Sequence, residues 1–155
     1  MKRMHVHVAV ASIPDAIGFY SALFAVNPAV VKPDYAKWML DDPAVNFAIS
    51  TRGKEPGLDH LGIQVEDRDE LQDVYGRLRR AGGNIIAQGK TTCCYAKSEK
   101  SWIDDPAGIS WETFLTEGES TNYGDSIARG ARLAHEKACC APPAAPQPGC
   151  GCAAG

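Results

Sequence analysis

No run of apolar residues in this 155-residue chain approaches the roughly 20 needed to cross a bilayer. The opening Met1-Lys2-Arg3-Met4-His5-Val6-His7 carries two positive charges without an apolar stretch behind them, a poor match to a secretory leader. The expectation is a cytoplasmic protein with no membrane association. A basic excess is lacking too: 16 Lys and Arg against 19 Asp and Glu leave a formal charge of −3. Nucleic acid, which requires a concentrated basic face, is therefore not an expected partner. Cysteine is absent from the first 92 residues, and the six that follow fall as Cys93-Cys94, Cys139-Cys140 and Cys150-Gly151-Cys152. Adjacent residues have Cα atoms about 3.8 Å apart, whereas a relaxed disulfide spans about 4.4–6.8 Å. That spacing argues against a disulfide framework. Paired thiols in a reducing compartment point instead to soft metals or metalloids.

What is present is an ordinary globular composition, 45% hydrophobic and 23% charged. It changes near residue 120. Up to Leu115, short β-like runs alternate with two helical patterns. After Glu117 come a polar stretch, one candidate helix over 125–138, and Ala141-Pro142-Pro143-Ala144-Ala145-Pro146-Gln147-Pro148-Gly149. That segment has no core-forming residues and reads as a flexible tail over 119–155. The domain is assigned to 1–118.

The domain contains a repeat. Its first unit, about 1–52, opens with His5-Val6-His7-Val8-Ala9-Val10. Ser12 then offers an N-cap, and Ile13, Ile17, Tyr20 and Phe24 mark one helical face. The second unit, about 57–118, opens with His60-Leu61-Gly62-Ile63-Gln64-Val65. There Asp67 and Glu70 form a capping box, and Leu71, Val74, Tyr75 and Leu78 mark the face. Each unit continues with three strands, expected at 29–31, 36–40 and 45–50 in the first and at 84–87, 93–97 and 109–115 in the second. Trp38-Met39-Leu40-Asp41-Asp42-Pro43-Ala44 echoes Trp102-Ile103-Asp104-Asp105-Pro106-Ala107. The pattern is βαβββ twice, an α+β fold.

The repeat selects candidate ligands. His5 and His60 occupy the same place in their units. Glu112 follows the second Asp-Pro turn where the first unit has Ala48. Two units facing each other about a pseudo-twofold axis would bring His5, His60 and Glu112 to one point. Two His and one carboxylate with open positions suit non-haem Fe(II), which then binds substrate and O₂; the same donors also hold Mn²⁺ or Zn²⁺. His7 lies on the face of His5, but its counterpart is Gly62, so it reads as a neighbour of the ligands. His135, in the tail, reads as solvated.

Paired βαβββ units with His, His and Glu at these places resemble the vicinal oxygen chelate superfamily, which includes glyoxalases, extradiol dioxygenases and fosfomycin-resistance transferases. The resemblance covers about residues 4–116. Five stretches look more narrowly like the ArsI-type carbon–arsenic lyases and the related cadmium-induced proteins: His5-Val6-His7-Val8, the run from Lys32 to Pro43, Asn46-Phe47-Ala48-Ile49-Ser50, Asp59-His60-Leu61-Gly62-Ile63-Gln64-Val65 and Cys93-Cys94-Tyr95-Ala96-Lys97. The resemblance implies Fe(II)- and O₂-dependent removal of the organic group from trivalent organoarsenicals, such as methylarsonous acid and trivalent aromatic arsenicals, with release of arsenite. It also implies one Fe(II) per chain on His5, His60 and Glu112, and arsenic on Cys93 and Cys94.

Successive residues of a regular strand face opposite ways, so Cys93 and Cys94 must sit at a strand end, bulge or loop for both sulfurs to reach one arsenic. The polar stretches 89–92 and 97–101 are expected to form a mobile loop around them, placing Tyr95, Lys97 and Lys100 beside the site. Cys139, Cys140, Cys150 and Cys152 are candidate accessory thiols for As(III). Two other classes share part of this pattern. A protein that sequesters arsenite or cadmium through its cysteine pairs would have no use for the triad. A Mn²⁺-dependent thiol transferase of the fosfomycin-resistance type would not need Cys93-Cys94.

Overall fold

Both helices begin where their caps put them. In the computed structural model, which describes residues 2–52, 55–82 and 85–121, Ser12 takes extended φ/ψ and its hydroxyl accepts from the Asp15 N–H. Helix α1 then runs Ile13–Phe24, with Pro14 in its first turn, and ends on Ala25 in the left-handed region. Asp67 accepts from the Glu70 N–H and starts α2, Arg68–Ala81. The capping box differs in one detail: Glu70 reaches back to the Glu66 N–H.

Eight strands form one sheet: β1 (Arg3–Ala9), β2 (Val30–Lys32), β3 (Tyr35–Asp41), β4 (Ala44–Ser50), β5 (Gly57–Val65), β6 (Ile86–Cys93), β7 (Ala96–Asp104) and β8 (Ser110–Glu119). Their order is β2-β3-β4-β1-β5-β8-β7-β6. The first βαβββ unit fills one half and the second the other, joined edge to edge through antiparallel β1 and β5. The fold is α+β, as the repeat implies.

Each helix covers the outer face of its own half. Ile13, Ile17, Tyr20 and Phe24 pack on Ala36, Trp38, Phe47 and Ile49. Leu71 and Val74, with Tyr75 and Leu78 against them, pack on Val65 and Leu115. Strand alternation sends the other set of side chains to the opposite face, where among the described residues no helix lies. His5, His7 and Asn46 from the first half and Lys100 and Glu112 from the second are buried there.

The β1–β5 register makes the pseudo-symmetry explicit. His5 faces Gly62 and His7 faces His60, so exchanging the units converts one pair into the other. The parallel neighbours agree, with His7 beside Ala48 in β4 and Gly62 beside Glu112 in β8. Gly62 is there of necessity: a Cβ on it would come within 2.5 Å of the Glu112 carbonyl oxygen.

Four expectations require correction. The strand expected at 84–87 runs instead from Ile86 to Cys93, and the one expected at 93–97 is cut by the Cys94-Tyr95 turn and runs from Ala96 to Asp104. Residues 89–92 and 97–101 are therefore paired β structure and not a loop. A bulge at Gln88-Gly89, with Gly89 at φ 66°, absorbs the glycine that suggested irregularity. The echoing Asp-Pro segments also differ. Asp42-Pro43, joined by a cis peptide, is a two-residue connection, whereas residues 105–109 form a longer loop held by the Asp105 carboxylate. Among the described residues no helix is long and apolar enough to cross a membrane. The candidate helix 125–138, His135 and Cys139, Cys140, Cys150 and Cys152 lie outside the described residues.

Candidate metal and dithiol site

His5, on β1, donates its Nδ1–H to the Asn46 carbonyl at 3.0 Å. A carbonyl only accepts, so this bond places the proton on Nδ1 and leaves the Nε2 lone pair available. His60, on β5, is fixed the same way by a carboxylate: its Nδ1 lies 2.5 Å from Asp59 Oδ1. Neighbouring strand residues ordinarily face opposite ways. Here the β1–β5 register slips, with His7 opposite His60 and Val8 opposite Leu58, which makes Asp59 the extra residue of a bulge. The bulge turns the Asp59 carboxylate onto its own neighbour. A histidine whose Nδ1–H is held by a carboxylate or carbonyl is the usual arrangement behind a metal-bound Nε2.

Glu112 Oε2 lies 3.8 Å from His5 Nε2 and 3.6 Å from His60 Nε2. Its other oxygen accepts from Lys100 Nζ at 2.5 Å. All four side chains are at most about 6% exposed. Phe114 meets the His5 ring edge-on at 5.2 Å, and Trp102 meets His60 at 5.0 Å, which limits rotation of both imidazoles. Trp102 Nε1–H is in turn held by Gln88.

His7 belongs to the same cluster. A ring nitrogen from each of His5, His7 and His60 lies within 4.8 Å of the others. His7 Nε2 is engaged by Ser50 Oγ at 2.9 Å, while its Nδ1 is buried without a hydrogen-bond partner. His60 Nε2 is buried and unpartnered in the same sense. A buried polar atom ordinarily finds a partner, and His60 Nε2, without one, lies 3.6 Å from the Glu112 carboxylate. The donor set fits a divalent metal.

Electrostatics favour the same species. Burial, reinforced by the charge of His60, lowers the His5 pKa to about 4, and burial holds His7 well below its ordinary value. Both stay neutral. Burial opposes charge on His60 too, but the bond to Asp59 and the negative charges of Glu112 and Asp59 outweigh it and raise its pKa. Burial alone would protonate Glu112, yet the Lys100 ammonium and His60 hold its carboxyl well below the usual range. Lys100 is raised in return, the carboxylate and the two thiols overcoming its burial. A lysine read from the sequence as part of a loop is thus a buried counter-ion.

The cysteines stand at a hairpin tip. Cys93 ends β6, Ala96 starts β7 directly opposite, and Cys94-Tyr95 is the two-residue connection. Both connecting residues have positive φ, 57° and 60°, the pattern of a type I′ turn usually built from Asn and Gly. This turn breaks the strand alternation. It brings the two Sγ atoms to 3.0 Å as free thiols. The shared S–H···S contact lowers the Cys93 pKa to about 7, with burial opposing and Lys100 assisting, and pushes Cys94 well above the usual thiol range. One thiolate and one thiol share a proton.

A small chamber, about 30 Å³, is lined by His5, His7, Lys100 and Glu112 together with Cys93 and Cys94. Residues 2–113 match the family described as the Glyoxalase/Bleomycin resistance protein/Dioxygenase superfamily. The chain belongs to that superfamily. It is 38% identical to a trivalent organoarsenical cleaving enzyme of Bacillus sp. strain MD1, over 93% of each chain. It is 33% identical to the cadmium-induced protein CadI of Mycobacterium bovis, over 80% of this chain and 82% of the relative. Those similarities put it in the branch that the Cys93-Cys94 segment indicated. The superfamily fold is shared with the Mn(II)-bound glyoxalase from Novosphingobium aromaticivorans, at a TM-score of 0.55 and 14% identity over 84% of this chain and 45% of that one.

Of the residues expected at the site, the fold brings His5, His60, Glu112, His7, Lys100, Cys93 and Cys94 together. Tyr95 stands at the hairpin tip and bonds Asp34. Lys97, on β7, does not line the chamber. Sequence reasoning missed Asp59, Ser50 and the true setting of Lys100. The Asp-His dipeptide at the start of β5 was the available signal for the first.

Proposed function

We propose that this chain is a non-haem Fe(II) dioxygenase that cleaves the carbon–arsenic bond of trivalent organoarsenicals and releases arsenite, a detoxifying reaction. The observation that supports it most is the chamber lined by the vicinal thiols Cys93 and Cys94 together with His5, His7 and Glu112, with His60 Nε2 3.6 Å from the Glu112 carboxylate. In this reading His5 Nε2, His60 Nε2 and Glu112 Oε2 hold the metal. Fe(II) held by two histidines and a carboxylate would keep positions open for O₂ and would supply the oxidising chemistry. His7, bonded to Ser50, stands beside the ligand set.

The substrate is held by the other half of the site. Cys93, its thiolate form accessible at neutral pH, and Cys94, which brings the one remaining proton, displace two hydroxyl groups from trivalent arsenic as water and hydroxide. A dithiol at 3.0 Å chelates one soft centre, and the fixed turn removes most of the entropy of bringing two thiols together. Lys100 keeps Glu112 ionised and stabilises negative charge arriving at Cys93. The chamber's size excludes bulk water around the bond to be broken. Cys139, Cys140, Cys150 and Cys152, outside the described residues, are assigned in this reading to collecting As(III).

Sequestration without turnover would leave the buried donor cluster unused. The test is direct: load the full chain anaerobically with Fe(II), add methylarsonous acid and then O₂, and follow arsenite. Release over several turnovers supports the proposal. Stoichiometric binding of the arsenical with no arsenite rejects it in favour of sequestration.

A further inference from the structure

The inner chamber is too small for an aromatic substituent. Benzene occupies cavities of about 150 Å³, against about 30 Å³ here. On the far side of Cys94 a second cavity opens, of about 320 Å³, and its walls include Tyr35, Lys37, Cys94, Ala96 and Thr116, all of which also line the inner one. A ring on a Cys93/Cys94-bound arsenic has this space to enter.

The outer cavity has a definite chemical character. Tyr35 and Tyr95, packed against each other with ring centroids 5.8 Å apart, supply one aromatic wall. Lys32 and Lys37 supply the charged groups, Lys32 Nζ lying 5.4 Å from the Tyr95 ring centroid. Among the described residues no carboxylate lines it. Asp34, in the turn just before Tyr35, is taken up by the Tyr95 hydroxyl and by Arg52. Two cations and two aromatic rings around an acid-free cavity form an environment for a flat ring with a negatively charged substituent.

We propose that this outer cavity is a substituent subsite, in which the ring of an aromatic arsenical packs on the wall formed by Tyr35 and Tyr95 and Lys32, with Lys37, selects substituents carrying negative charge. The proposal rests on the reading of Cys93-Cys94 as the arsenic-binding pair. A methyl group has no atom to place there, so methylarsonous acid is indifferent to the subsite.

The test compares three trivalent arsenicals on the full chain: methylarsonous acid, phenylarsonous acid and its 4-carboxyphenyl analogue. Dissociation constants come from anaerobic titration calorimetry. The wild-type chain is expected to bind the carboxyphenyl compound about fivefold more tightly than the phenyl one, the scale of one partly screened charge pair. Lys32→Gln should bring that ratio close to one and Lys32→Glu should invert it, both with methylarsonous acid binding unchanged. That unchanged control also shows that the variants are folded. A ratio near one in the wild-type chain, or a ratio indifferent to both Lys32 variants, overturns the subsite. Failure of all three compounds to bind in a Cys93-dependent way would instead overturn the dithiol reading, so the two failures are distinct.

Discussion

The Tyr95 hydroxyl donates to Asp34 Oδ1 at 2.6 Å. The two residues occupy equivalent places in the repeat, each at the two-residue tip that joins the second and third strands of its unit. The contact therefore spans the pseudo-twofold axis and ties the dithiol hairpin of one unit to the hairpin of the other. The Tyr35 ring packs at a tilt against the Tyr95 ring, and the Ser120 N–H is bonded to the Tyr95 carbonyl.

Tyr95→Phe keeps the ring and removes that tether. Hydrogen bonds to charged groups contribute roughly 1.5–3 kcal/mol, less at a partly exposed tip. Arsenical affinity should fall about three- to tenfold, while metal affinity, set 'behind' the tip by other residues, stays as it was. Parallel titrations with methylarsonous acid and with a divalent metal check this. An equal loss of both would mean that the substitution damages the whole cup.

Lys100 and Glu112 form a buried ion pair at 2.5 Å. Removing one partner of such a pair costs about 3–5 kcal/mol, because the other charge is left uncompensated. Lys100→Met should therefore destabilise the metal-free protein by about that much in urea unfolding. It should also raise the Glu112 pKa toward the ordinary range. A bound divalent cation replaces the lost positive charge, so with Mn²⁺ present the deficit should shrink. Equal deficits with and without metal would show that Glu112 does not face the metal.

Asp59→Asn retains the shape of the bulge but removes the carboxylate that orients His60. Loss of such an outer partner commonly weakens metal binding about 10–100-fold. Competition against a chelating dye should show that weakening, with the dithiol unaffected.

Titration of Cys93 gives a sign that can be read without any arsenical. Its pKa stands at about 7 because of the contact with Cys94, so the thiolate predominates above neutrality and is lost as the pH falls below it. Alkylation by iodoacetamide in the metal-free protein should rise with a midpoint near 7. In Cys94→Ala the S–H donor is gone, and the midpoint should move up toward the ordinary thiol range. A wild-type midpoint at the ordinary value would remove the activated thiolate from the account.

The repeat and both helix caps were legible because they rest on local rules: Ser12 and Asp67 as caps, apolar residues at helical spacing, and His5 and His60 at one place in two strands. The second hairpin was not legible. Cys94-Tyr95 has none of the Gly or Asn that normally announces a type I′ turn, and Lys90, Lys97, Glu99 and Lys100 gave the flanking strands the look of a solvated loop. Alternation resolves the difficulty only afterwards: Ser98 and Lys100 are buried while Lys97 faces out. A lysine buried by one carboxylate has no sequence signature, since its partner lies 12 residues away. Asp59 escaped for a similar reason, since strand periodicity assigns it to the face opposite His60 and only the bulge brings the two together.

The central claim is that the metal centre and the dithiol are two halves of one catalytic site. Its most direct measurement is arsenite released and organoarsenical bound, determined together in Fe(II)-loaded wild type, Glu112→Ala and Cys93→Ser under O₂ with methylarsonous acid. The account predicts turnover in the wild type only, arsenical bound as in the wild type but no arsenite in Glu112→Ala, and in Cys93→Ser no release and one fewer arsenical bound per chain, with the metal still held. Arsenite release near the wild-type rate from either variant would contradict it.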